Sequence, residues 1–170
     1  MRFSSTITVL AFAALHAVSA SAQASAQRLS PNAPEDRPVT ATAVCQWQAM
    51  LKAIEPYVAQ ARQTYPEARR RYVGRAQPVR PFFVTTQLHD AKGHHEQVFV
   101  AVDSIVGARI FGTIANPLNV VQGYRYQQPY SFDDTELFDW TFANPDGSEE
   151  GNVVGKFIDT YTPPRECRDA

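Results

Sequence analysis

The residue types most able to do chemistry crowd into one stretch, with His89 and Asp90 followed by His94, His95 and Glu96. Imidazoles beside carboxylates are the common ligands of zinc and the common general acids and bases. A zinc centre needs three or four donors converging on one point. If His94 and His95 both belong to a strand, they point to opposite faces, so at most one can join His89. Asp90 and Gly93 are turn formers, and the apolar run QVFVAV follows. The stretch therefore reads as the polar end of a hairpin, and neither metal nor cofactor is expected.

A second concentration, Asp133, Asp134, Glu136 and Asp139, has the carboxylates that paired acid–base catalysis requires. Its simpler reading is a turn, with Ser131 or Asp133 capping a short helical turn that leads into FDWTF. Nucleophilic catalysis lacks its signatures. No G-x-S-x-G elbow, P-loop, G-x-G-x-x-G or H-E-x-x-H occurs. The aromatic run GYRYQQPYSF carries Tyr124, Tyr126, Tyr130 and Phe132. At period two these suit the half-buried face of a strand, with a ligand platform as the alternative. Arg69-Arg70-Arg71 closes a helical segment, where cations meet the helix dipole and solvent.

The elements that must position these residues follow from periodicity. Trp47, Met50, Leu51 and Ile54 mark one helix face, continued by Tyr57, Val58, Ala61 and Tyr65. Pro56 predicts a restart or kink, and Pro66 predicts a further short helix, PEARRRYV, ended by Gly74. From Phe82 the texture changes to strands: FFVTTQLH, the return EQVFVAVDSIV, ARIFGTI, FDWTF and NVVGKFIDTY, punctuated by DAKGH, Gly107, ANP and NPDG. In FDWTF the alternation sets Phe138, Trp140 and Phe142 on one face as core. Asp139 is then expected on the other face, partly exposed. Helices followed by strands on short turns predict an α+β domain, N-terminal helices packed on a curved antiparallel sheet of about five strands.

Residues 1–22 read as a signal peptide. Arg2 precedes the apolar run Ile7–Val18, and two small-residue sites follow, Ala20-Ser21-Ala22, after which cleavage is favoured, and Ala24-Ser25-Ala26 close behind. Residues 23–41, rich in Pro, Ser, Ala and Gln, read as a disordered linker. Residues 42–170 are expected to form a single domain. Cys45 and Cys167 are the two cysteines, and in an oxidising compartment they are expected to pair. Closing so long a loop would contribute about 4–5 kcal/mol in the chain-entropy description. Charge divides unevenly: nine basic against four acidic residues over 23–81, and six against thirteen over 82–170. No dominant basic face suggests nucleic acid, and no later run is long enough to stay in a membrane.

The segments EARRRYVG, FFVTTQLHDAKGHHEQVFVAV, IVGARIFGTIAN and GYRYQQPYSFDDTELFDW resemble the YegJ-like family of bacterial proteins, domain of unknown function 2314. Glu96 matches that family's strand glutamate, while Gln97, Val98 and Phe99 stand where it has His, Met and Trp. Gly112, Ala115, Asn116 and Pro117 match its Gly-Ala-Asn-Pro frame, and Asp139 and Trp140 its Asp-Trp pair. The resemblance spans roughly Ala49 to Tyr161. It implies an α+β fold and brings no established activity. Together the readings predict a periplasmic or secreted, non-catalytic binding protein, toxin-neutralising in one version. Its partner would be a protein, and its binding candidates are Glu96, Asn116, Pro117, Tyr124, Tyr126, Asp139 and Trp140. The alternatives are a small-ligand or cell-envelope binder and a carboxylate-dependent hydrolase.

Overall fold

The computed structural model of the protein describes residues 44–74 and 80–167. The leader (1–22) and linker (23–41) expected from sequence lie outside the described residues. One long helix, α1 (Val44–Val73), is followed by β1 (Phe82–His89), β2 (His95–Val106), β3 (Arg109–Ile114), β4 (Pro129–Asp133), β5 (Asp139–Ala143), β6 (Glu149–Gly151) and a short α2 (Val153–Ile158). Single 3-10 turns occupy Asp134–Glu136 and Arg165–Cys167. The strands form one sheet in the order β4-β3-β2-β1-β5-β6, and every neighbouring pair is antiparallel. The α+β class stands, with six strands where about five were expected.

Two expectations are corrected. NVVGKFIDTY is no strand, because Val153–Ile158 turns helical once β6 has ended at Gly151. Neither Pro56 nor Pro66 ends α1, which runs 30 residues through both. The prolines lie on its exposed side, while Ile54, Ala61, Tyr65 and Ala68 bury the opposite stripe. Packing along that stripe outweighs the local loss of two backbone donors.

Alternate residues of the central strands make the core: Val84 and Leu88 of β1, Val98 and Val100 of β2, Ile110 and Ile114 of β3, Trp140 and Phe142 of β5. Ala61, Tyr65 and Ala68 of α1 close over them. Gly112 permits the tight β2–β3 approach, since a Cβ there would lie 2.1 Å from the Ala101 carbonyl oxygen. A register shift between Val102 and Ser104 bends the same ladder. The β4–β5 connection passes over β3, β2 and β1. It is held where the Thr86 hydroxyl donates to Glu136 O and Phe138 N donates to Thr85 O. A second cluster joins Met50 and Ile54 of α1 to Val154 of α2, with Phe138, Phe157 and Tyr161 around it.

The Cys45–Cys167 disulfide is present, with Cα atoms 5.4 Å apart across a sequence separation of 122. It ties the start of α1 to the last 3-10 turn, beside the bond from Gln46 Nε2 to Cys167 O.

Candidate functional site

The histidine stretch is the β1–β2 hairpin, with His89 opposite His95 and Gly93 supplying the left-handed turn conformation at φ 80°. His89, His94 and His95 are exposed. His95 faces the Trp47 ring at 6.0 Å, and His94 Nδ1 pairs with Asp90 at 2.9 Å. The two carboxylates beside the histidines turn inward to the chain itself. Asp90 accepts the backbone N–H groups of Lys92, His94 and Gln122. Burial works against its charge, but the His94 ring and these donors hold it well below the usual carboxylate range. Glu96 accepts from Asn119 N at 2.7 Å, Val120 N at 2.8 Å and Val121 N at 3.0 Å. Glu96 is thus an anchor for the 116–124 loop, whose Val121 and Leu118 reach the core. Among the described residues, no three His, Cys, Asp or Glu side chains group as a metal would require.

Asn116 extends the same brace. Its Oδ1 accepts Phe99 N at 2.8 Å and its Nδ2 donates to Pro117 O at 2.9 Å. The Tyr124 hydroxyl donates to His89 O. Glu96, Asn116, Pro117 and Tyr124 therefore come together as one loop scaffold, and Tyr126 lies exposed nearby in sequence. The period-two reading of the aromatic run is corrected in part. Tyr130 and Phe132 are on β4, whereas Tyr124 and Tyr126 belong to the loop before it.

Asp139 and Trp140 belong to a different place, β5. Trp140 is core as expected, 6% exposed, its Nε1 donating to Ala61 O and Thr64 Oγ1. Phe138 does not share its cluster; it precedes the strand and packs with Met50 and Ile54. The expected partial exposure of Asp139 is corrected: it is 1% exposed, because α2 folds against the start of β5. Desolvation pushes its carboxyl up to about 6, against the pull of the Val154 and Trp140 N–H groups.

The acidic cluster disperses in the same way. Asp133 caps the 3-10 turn through Thr135 N, and Glu136 returns a bond to Asp133 N in a capping box. The arginine run is likewise spoken for. Arg69 donates to Gly107 O, Arg70 pairs with Glu67, and Arg71 forms a two-pronged pair with Glu150.

What sequence reasoning missed is a groove of about 420 Å³ along α1, lined by Leu51, Ile54, Val58, Ala59 and Phe138 with Glu55 and Arg62 at its margin. Arg62 Nε donates to Leu137 O at 2.7 Å, which fixes the guanidinium beside Phe138. The signal was present in the sequence. Leu51 and Val58 flank the Met50–Ile54–Ala61 stripe, so the apolar arc of α1 is wider than one core contact needs. No family model, curated protein or solved structure matches the chain.

Proposed function

We propose that this chain is an exported, non-catalytic binding protein whose α1 groove receives a segment of a partner protein in the periplasm, a secreted toxin being one such partner. The observation that carries the reading is the groove itself. It is an aliphatic floor left open beside a fixed guanidinium, the combination of anchor pocket and polar rim on which protein contacts concentrate their energy. The occupant suited to it presents a large apolar side chain next to a carboxylate, the carboxylate meeting Arg62. The Cys45–Cys167 bond supports an oxidising compartment, and no described helix is long and apolar enough to cross a membrane. The YegJ-like resemblance belongs to the same reading and adds no activity to it.

The test places a photo-crosslinking amino acid at Ala59 in the groove and, in a separate variant, at the exposed Asp103 of β2, each expressed with the native leader. A single adduct from position 59 alone is expected. The captured protein, once purified, should bind at least about tenfold more weakly to Ala59→Asp, at an exposed position of the groove, and to Arg62→Ala, which gives up the bond to Leu137 O, with circular dichroism showing both variants folded. Equal adducts from both positions, or wild-type affinity in both variants, would reject the reading.

A further inference from the structure

The groove along α1 carries a two-fold pattern. Leu51, Glu55, Val58, Ala59, Arg62 and Pro66 recur at steps of three or four, which sets them in one stripe beside the buried Ile54–Ala61–Tyr65 face. The stripe runs about 22 Å along the helix axis. Its midpoint falls between Val58 and Ala59. Glu55 and Arg62 lie equally far on either side of that point, and so do Leu51 and Pro66. Both charges are open to a partner. Glu55 and Arg62 are exposed, and among the described residues neither takes part in an ion pair. Arg62 commits its Nε to Leu137 O, which leaves the two terminal nitrogens of the guanidinium facing outward along the groove margin.

The segment suited to this groove sets a large apolar side chain next to a carboxylate, and α1 is itself such a segment. Glu55 stands one turn from both Leu51 and Val58. Laid antiparallel on a second α1, about an axis through the midpoint of the stripe, each Glu55 meets Arg62 of the other copy. Val58 then meets Ala59, Leu51 meets Pro66, and every contact occurs twice, as an isologous interface requires. Ala59, the smallest side chain of the stripe, stands beside the axis, where the two helices come nearest. A parallel arrangement would set Glu55 against Glu55 and Arg62 against Arg62. The charges therefore select the antiparallel one.

We propose that, until a partner arrives, the groove is covered by the same groove of a second copy, in an antiparallel α1–α1 dimer. The inference rests on the groove being a docking surface for protein segments, and it names what occupies that surface at rest. A single helix stripe makes an interface smaller than those of stable complexes. The dimer is accordingly weak, with a dissociation constant of about 1–100 µM. Weakness suits the role. The second copy shields the aliphatic floor, and a partner that binds more tightly displaces it, because both use Arg62 and the same apolar residues.

Sedimentation equilibrium of the protein expressed with its native leader should show monomer and dimer exchanging in that concentration range. Glu55→Arg should weaken association at least about tenfold, since both pairs become repulsive. Mixed with Arg62→Glu, it should associate again as a heterodimer in which each arginine meets a glutamate. Circular dichroism checks that Arg62→Glu, which gives up the bond to Leu137 O, is folded. A second measurement needs no charge variant. Ala59→Cys, next to the axis, should oxidise to a covalent dimer at least about tenfold faster than Asp103→Cys, at an exposed position of β2. Wild type that stays monomeric up to about 1 mM, Glu55→Arg that associates as wild type does, or Ala59→Cys that oxidises no faster than Asp103→Cys would overturn the dimer. A monomer whose position 59 still captures another protein would sink the dimer alone. A dimer whose groove captures no other protein would sink the proposed function alone.

Discussion

Replacing Trp140 by alanine tests the packing of β5 against α1, on which the placement of both clusters depends. The indole is 6% exposed. It meets Phe142 edge-on at 6.1 Å and lies under the Arg71 guanidinium at 5.9 Å. Gly151 is pressed so close that a Cβ there would come 2.8 Å from the ring. With neighbours fixed by β6 on one side and α1 on the other, the space left by the ring cannot collapse, so the loss should be about 3–5 kcal/mol. The hydrogen-bond share is small. Ala61 O and Thr64 Oγ1 are also joined to each other, so neither acceptor is left without a partner. In urea, with a slope near 2 kcal/mol per molar, the midpoint should move down by about 2 M at unchanged slope. In a Trp47→Phe background, acrylamide should quench Trp140 poorly in the native state and freely in urea. A loss under about 1 kcal/mol, or free quenching in the native state, would mean that β5 does not face α1.

Further outcomes follow from the same contacts. Unfolded without reductant, the protein should show no titratable thiol. Cys45→Ser/Cys167→Ser should lower stability by up to about 4–5 kcal/mol, and two reactive thiols in wild type would refute the pairing. Glu96→Gln keeps the shape but gives up the charge that three N–H groups share. A loss of about 2 kcal/mol with faster exchange at Asn119, Val120 and Val121 is expected, and unchanged exchange there would remove Glu96 from its anchoring role. Replacing His89, His94 and His95 together by alanine should cost no more than about 1 kcal/mol, chiefly the His94–Asp90 pair and the His95–Trp47 contact. Stoichiometric zinc in the wild-type protein, or a loss of several kcal/mol, would contradict the hairpin description.

By itself the sequence determined whatever rests on local spacing and local chemistry. Alternation places Val98 and Val100 on one face of β2 and Trp140 with Phe142 on one face of β5. Gly93 and the Asn144–Gly147 turn close their hairpins, and Asp133, one of the two residues whose chemistry suits a cap for the turn before β5, does cap it. Two cysteines were enough to name the disulfide. Tertiary structure alone decided the rest, because the partners are distant in sequence and periodicity carries no record of them. Pro56 and Pro66 stay helical because the far side of α1 is buried along most of its length. Glu96 is an anchor only because a loop 23 to 25 residues later delivers three backbone donors to it. Asp139 has the polar-outside place of a simple alternating strand. It is interior because α2, a segment that reads as a strand from its β-branched residues, turns back as a helix and brings Val154 N to its carboxylate. Burial of a polar group is a property of what folds over it, and the covering element here lies 15 residues further along the chain.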